Sequence, residues 1–496
     1  MSGHYLSKSK ILSGWQCHKR LWLEVHDRDK ARVSAATEHA FQVGHEVGEI
    51  ARRVFPDGVL IGHDHSLHLA LDETARRLAE PGPLTLFEAT LSYEGVLVRT
   101  DILIRDELDN VRLIEVKAST RVKPVNYIDC AVQAWVLAGV GWHPAQVELA
   151  HINNQFVYPG DEQYAGLFSF VDVTDRVSPM LEHVPRWLTE YRQALAGEIP
   201  TIPIGPHCRN PYECAFLDYC TPPQPDYPVR CLPGGGKIVW QLMEEGFVDI
   251  REIPPDRLTR ESQRRVRRVT IRGEAELDPD AAMMLADLPW PRYYFDFETV
   301  SFAVPIWEGT GPYQALPFQW SCHVHDNTGA LEHREWLADG AGPPMRQCAE
   351  TLIDNLGDQG PVFTYTNYEE GVLKRLARMF PDLAPALESI IARLFDLYPV
   401  TRKHYYHPDM LGSWSIKAVL PTIAPDMDYG ELGEIREGMA ASDAFLEIMD
   451  PLTDPTRRAR LRDDLIAYCA YDTLALVRVA AFLQGTQAPA ERKAIA

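Results

Sequence analysis

The stretch Tyr293-Tyr294-Phe295-Asp296-Phe297-Glu298-Thr299 limits what this chain can fold into more than any other. Its aromatic and β-branched residues specify a strand, and the two-residue period of a strand puts Asp296 and Glu298 on the same face. Two carboxylates side by side on a buried strand are costly to desolvate unless something neutralises them. Divalent cations do this. A pair of cations about 3.5–4 Å apart on such carboxylates activates water and stabilises the leaving oxygen in phosphodiester cleavage. A polar-faced edge strand is the other reading of the same motif, so the sequence downstream has to choose.

Downstream, Phe318–Asp326 and Leu331–Leu337 are predicted as antiparallel strands, with a helix over Arg346–Leu356. The apolar strand Pro361–Thr366 runs into Asn367-Tyr368-Glu369-Glu370, which opens a helix over Gly371–Met379. A carboxylate at a strand-to-helix junction stands at the carboxyl edge of the sheet, where Asp296 and Glu298 point. Glu369 is the expected third acidic ligand, and its neighbour Glu370 leaves that assignment open. A long helix over Asp463–Leu483 carries Tyr468 and Asp472 on one face through their i,i+4 spacing. The expected site therefore has four carboxylates, Asp296, Glu298, Glu369 and Asp472, with Tyr468 orienting the attacking water. In their order along the chain, DxE, aromatic-acid pair and YxxxD, these residues resemble the DnaQ-like 3′–5′ exonucleases of the tyrosine subclass. The resemblance implies an RNase H-like mixed sheet with flanking helices and bound Mg2+ or Mn2+. Glu369 departs from it, since the family usually has aspartate there.

The first half of the chain has a separate acidic constellation. Helices are expected around Ser7–Trp22 and over Thr37–Phe55, followed by strands Leu84–Leu91, Val96–Arg105 and Val111–Val116, the last two joined by the turn-rich 106–110. Alternation puts Glu115 and Lys117 on one face of a strand paired with the one bearing Asp101. The carboxylates can bind a cation there while the ammonium positions water or the scissile phosphate. A cross-strand ion pair of no catalytic use is the other reading. The helix Val125–Gly141 carries Gln133 towards the same place.

Three cysteines, Cys208, Cys214 and Cys220, follow with five residues between each pair. Such thiolates hold zinc or, with Cys17 returning from the N-terminal end, a four-cysteine iron–sulfur cluster. Residues 1–225 resemble the RecB-type iron–sulfur nucleases, including the CRISPR-associated ones. The resemblance implies a PD-(D/E)xK, restriction-endonuclease-like core with Asp101, Glu115 and Lys117 as the catalytic set and Gln133 as the helix glutamine. It also implies a 4Fe–4S cluster on Cys17, Cys208, Cys214 and Cys220. The family's metal-binding histidine, three residues past a glycine, would fall on Val47 after Gly44, with His45 and Glu49 as candidate substitutes.

Between these halves, Pro222–Pro233 is proline-rich and is followed by three glycines, which marks a boundary. Residues 226–288 are expected to be a linker, with short helices over Gln241–Ile253 and Asp278–Leu288. The linker also holds seven arginines between Arg257 and Arg272, a run that either contacts a nucleic-acid backbone or forms a solvated helix face. Residues 289–496 then form the second catalytic domain. The full arrangement resembles an uncharacterised bacterial family that joins a RecB-type nuclease to a DnaQ-like exonuclease. It is marked by Gly309-Thr-Gly-Pro-Tyr-Gln314, Pro317-Phe-Gln-Trp-Ser321, Asp396-Leu397, Gly412-Ser-Trp-Ser-Ile-Lys417 and Tyr468-Cys-Ala-Tyr-Asp472. Lys417 and Gln319 are expected either to touch substrate or to serve the core.

With 496 residues and 46% hydrophobic composition, a two-domain α/β protein is expected. A formal net charge of −21 argues against nucleic-acid binding over the whole surface but not against local contacts around metal-bound carboxylates. The nine cysteines, an odd number, suit a reducing compartment and metal ligation. With no long uncharged apolar run and no export signal read in the sequence, the expectation is a cytoplasmic protein without membrane contact. The function expected is that of a metal-dependent nuclease acting on DNA, with RNA as the other substrate. The alternative is a nucleic-acid-binding protein with one or both sites inactive.

Overall fold

In the computed structural model, which describes residues 6–62, 66–340 and 342–489, the chain is a mixed α/β protein that divides into two units. The first comprises residues up to 223 together with 302–314, and the second comprises 224–301 and 315 onwards.

The first unit is built on a seven-stranded sheet of β1 (Leu6–Ser7), β2 (Val59–Leu60), β3 (Leu84–Tyr93), β4 (Val96–Arg105), β5 (Val111–Lys117), β6 (Pro144–Ile152) and β7 (Phe168–Asp172). The order is β2-β3-β4-β5-β6-β7. Glu94 and Gly95, both at positive φ, make the two-residue turn between β3 and β4, the geometry that matches strand twist. Strand β5 pairs with Ile102–Arg105 of β4 on one side and with β6 on the other, and β1 pairs in parallel with Val96 and Leu97 of β4. That pairing delivers the start of the N-terminal helix Lys8–Gln16 to the face bearing Glu115. The helix Pro124–Gly139 is buried along most of its length, and Val132 and Val136 join Leu86, Leu103, Leu113 and Leu149 in the core.

The expected helix at Ser7–Trp22 is two helices, Lys8–Gln16 and His18–His26, parted at Cys17, whose backbone is extended. Residues 302–314, expected in the second domain, belong to the first unit: the Tyr158 amide donates to the Thr310 carbonyl and the Tyr313 hydroxyl to the Ala118 carbonyl.

The second unit holds the two-stranded pair β8 (Glu276–Leu277) and β14 (Tyr405–Tyr406), and a five-stranded sheet. The larger sheet comprises β9 (Arg292–Val300), β10 (Leu316–His325), β11 (Leu331–Leu337), β12 (Val362–Thr364) and β13 (Leu394–Asp396), in the order β11-β10-β9-β12-β13. On one side of β9 the pairing is antiparallel, and on the other β12 and β13 run parallel. The expected helix over Asp463–Leu483 is longer, Pro455–Gln484. Asp454 caps its start by accepting from the amides of Thr456 and Arg457, Pro455 sits at the first turn, and Gly485 at φ 68° ends it. One window of this helix is apolar enough to cross a membrane by length and composition, unlike the expectation from the sequence, and 61% of that window is buried inside the protein.

Residues 226–288 are part of the second unit rather than a linker between domains. Leu258, Val266 and Val269 pack in one core with Tyr294, Phe363 and Leu397. The first helix there is Gly236–Glu244, earlier than expected, because Gly246 at positive φ ends it and Phe247 begins an irregular stretch. The expected Asp278–Leu288 helix is the shorter Asp280–Ala286. The arginine-rich run becomes the helix Glu261–Arg272, and most of its charges are engaged within the fold. Arg265 donates to the carbonyls of Arg402 and Lys403, Arg264 to that of Leu258 and Arg267 to that of Ile253, while Arg268 pairs with Glu276.

Candidate metal and phosphodiester sites

Strand β9 presents Asp296 and Glu298 opposite Ser321 and Gln319 of β10. The helix Tyr368–Met379 begins just after β12 and turns Glu369 inward, while Glu370 faces solvent in an ion pair with Lys374. The alternation of strand and helix thus separates the two candidates that the sequence left open. Asp472 and Tyr468, both buried, come from the long helix packed on β9 and β10. Ligand atoms of Asp296, Glu298 and Cys469 lie within 4.8 Å of one another. Cys469 sits one residue after Tyr468, and the YxxxD spacing gave no hint of it.

The electrostatics follow from crowding acids away from water. Burial, with Glu369, Asp472 and Glu298 nearby, pushes Asp296 well above the usual carboxylate range. Burial and Asp472 do the same to Glu298. Burial raises Glu369 to about 7 and Asp472 to about 6. The Glu369 Oε2 atom is buried and has no hydrogen-bond partner. Such an orphaned carboxylate oxygen among acids is what a cation would satisfy.

Two residues complete the rim. The Tyr429 hydroxyl donates to Asp472 Oδ1 at 2.5 Å, and Lys417 Nζ lies 3.5 Å from the Tyr468 hydroxyl. Gln319 is fully buried and donates to the Leu465 carbonyl at 2.9 Å, which places it in the core. Asp396 caps the helix Leu397–His404 through the Tyr398 amide and also accepts from the Thr366 amide.

In the first unit, Glu115, Lys117, Asp101 and Gln133 come together as expected, joined by two residues that pattern reading missed. Lys117 Nζ lies 2.5 Å from Glu115 and 2.7 Å from Asp129, and Lys8 Nζ lies 2.8 Å from Glu115 and 3.3 Å from Asp129. Gln133 donates to Glu115 at 2.6 Å and to Asp129 at 3.0 Å. Asp129 is one helical turn before Gln133, a spacing that could have revealed it. Lys8 arrives through the β1 pairing and has no local signal.

Asp101 accepts from the Val116 amide at 2.6 Å, and burial raises it. Burial and Asp101 push Glu115 up, but Lys117 and Lys8 outweigh them and hold it below the usual range. His45 and Glu49 are not in this network. Both are exposed, with the His45 ring bonded to the Phe41 carbonyl of its own helix, while Val47 faces the core. The helix simply turns its apolar stripe inward.

Cys17, Cys208, Cys214 and Cys220 line one pocket with Arg20 and Lys19. Gln16 ties the N-terminal helix to this loop by donating to the carbonyls of His207 and Tyr212. The Cys214 amide donates to the Cys208 carbonyl, closing the loop around the sulfurs. Burial raises the Cys208 and Cys214 thiols, with the neighbouring cysteines adding to the effect. Four convergent thiols beside two cations suit an anionic metal–thiolate centre.

Among known proteins, the family model of a domain of unknown function, DUF2779, matches residues 293–415, which include Asp296, Glu298 and Glu369. The chain is 27% identical over 213 residues to the uncharacterized protein MG366 homolog of Mycoplasma pneumoniae, a match covering 39% of this chain and 32% of that protein. The chain therefore spans about a third of that relative's length. A solved structure described as "Crystal structure of SSO0001" aligns at 14% identity and a TM-score of 0.22, over 44% of this chain and 86% of that one.

Proposed function

We propose that the chain is a metal-dependent nuclease. In this reading the second unit is an RNase H-like domain that removes nucleotides from a 3′ end, and the first is a PD-(D/E)xK-type domain with a 4Fe–4S cluster. The observation that carries it is the convergence of half-buried Asp296 with buried Glu298, Glu369 and Asp472, one Glu369 oxygen being unpartnered. Mg2+ or Mn2+ bound there supplies charge neutralisation and Lewis acidity at the scissile phosphate. Tyr468 holds the attacking water by its hydroxyl, and Tyr429 fixes the orientation of Asp472. The mixed sheet, antiparallel on one side of β9 and parallel on the other, supports the RNase H-like assignment.

The pocket that gathers Cys17, Cys208, Cys214 and Cys220 fits a 4Fe–4S cluster, which would staple the N-terminal helix to the cysteine loop. Asp101, Glu115 and Lys117 with Gln133 fit a second phosphodiester-cleaving site. One observation favours a binding role there instead: Lys8 and Lys117 already neutralise Glu115 and Asp129, so a cation has to compete with them.

The reading is tested with end-labelled single- and double-stranded DNA and RNA, incubated with Mg2+, Mn2+ or EDTA. A ladder receding from the 3′ end of DNA, abolished by EDTA, is expected. Intact strands of every kind in both metals, with binding retained, would leave the binding-module alternative.

A further inference from the structure

We infer that Lys417 is a further residue of the second-unit site, placed to hold a non-bridging oxygen of the phosphate being cut. The inference deepens the nuclease reading and rests on it. Lys417 is the second residue of the helix Ile416–Ile423, whose N-cap is Ser415, so its stem projects from the first turn of a short helix. Its ammonium lies over the faces of two tyrosines, 5.1 Å from the ring centre of Tyr429 and 5.5 Å from that of Tyr468. It donates to the Arg436 carbonyl at 2.6 Å and approaches the Tyr468 hydroxyl at 3.5 Å.

An ammonium has three N–H groups, and these contacts use two. Were Lys417 only a counter-ion for the four acids, its hydrogen bonds would be expected to end on a carboxylate. Among the described residues they end on a carbonyl and a hydroxyl instead. The residue is exposed, so substrate can reach it. Two tyrosine rings and a carbonyl therefore hold a cation beside the tyrosine assigned to the water, with one donor left over. A phosphate oxygen that gains charge during cleavage is the ligand such a donor fits.

The test compares wild type, Lys417→Met and Lys417→Arg on a labelled single strand in Mn2+, with Mn2+ uptake followed by calorimetry. Lys417→Met should lower kcat by about 10²–10³-fold, the usual effect of removing one such donor, with KM nearly constant. Arg should restore part of the rate, and Mn2+ affinity should not fall in either variant. A second readout needs no turnover. In Ca2+, wild type should bind a strand ending in a phosphodiester more tightly than one whose last linkage is an uncharged methylphosphonate, and Lys417→Met should lose that preference. A Lys417→Met enzyme with wild-type kcat, or one that keeps the preference, overturns the inference alone. A wild type that neither digests strands nor takes up Mn2+ overturns the nuclease reading and the inference with it.

Discussion

The Tyr429 hydroxyl donates a 2.5 Å hydrogen bond to Asp472 Oδ1, so one oxygen of this carboxylate is held by a residue far from it in sequence. Tyr468 also hydrogen-bonds this carboxylate, so two tyrosines orient Asp472 within the proposed metal site. Partners of this kind orient a ligand, and losing them typically costs about 10–100-fold in metal affinity. Tyr429→Phe is therefore expected to weaken Mn2+ binding by roughly that factor while keeping the fold, as calorimetry and circular dichroism would show. Unchanged affinity would mean that Asp472 is oriented by the long helix alone.

The second-unit acids should make metal-free stability fall as pH rises. Glu369, at about 7, and Asp472, at about 6, bind protons more tightly in the folded chain than when unfolded. Between the ordinary carboxylate range near 4 and pH 7, the native state thus holds the extra protons, and raising pH through this window removes stability. In EDTA the melting temperature should drop across it, and Mn2+ at pH 7 should restore it by binding only the folded form. A Glu369→Gln, Asp472→Asn variant should show a flatter profile. A wild-type profile no steeper than the variant's would show that the acids are not crowded as described.

Glu115 in the first unit behaves differently because cations already face it. Glu115→Ala leaves Lys8 and Lys117, each about three-quarters buried, with Asp129 as their remaining carboxylate partner, and should cost about 1–3 kcal/mol in chemical denaturation. Glu115→Gln keeps the shape and should cost less. In an Asp296→Ala background, residual cleavage that disappears on Glu115→Gln would assign the first site a catalytic role. An unchanged product pattern would make it structural or binding only.

Cys214→Ser is expected to strip a brown colour and visible absorbance from anaerobically purified protein, and to lower its melting temperature, because a cluster held by these four cysteines would join the N-terminal helix to the cysteine loop. Colourless wild type containing one zinc per chain would replace the iron–sulfur assignment with a zinc one.

What could be read in the sequence was whatever depends on local period. Alternation in β9 and the i,i+4 step in the long helix place Asp296, Glu298, Tyr468 and Asp472 before any contact is known, and the five-residue spacing picks out three of the four pocket cysteines. Lys8 and Tyr429 are brought in by β1 pairing and by irregular backbone, which leave no periodic trace, whereas Asp129 stands one helical turn from Gln133 and was overlooked. The charge of the arginine run and its solvated face, with Arg260, Arg264, Arg268 and Arg272 exposed, were legible, whereas the carbonyls of Arg402, Lys403, Leu258 and Ile253 to which several of its arginines donate were not. Likewise residues 226–288 looked like a linker because proline and glycine mark irregular backbone, yet Leu258, Val266 and Val269 bury it in a core.

Calorimetric titration of Mn2+ into metal-free chain carrying Glu115→Gln, so that only the second site reports, bears most directly on whether four carboxylates hold two cations. Two Mn2+ per chain are expected, with binding lost on adding Asp296→Ala although the folded signal by circular dichroism is retained. No uptake of Mn2+, or uptake identical with and without Asp296, would show that Asp296, Glu298, Glu369 and Asp472 do not form a metal site.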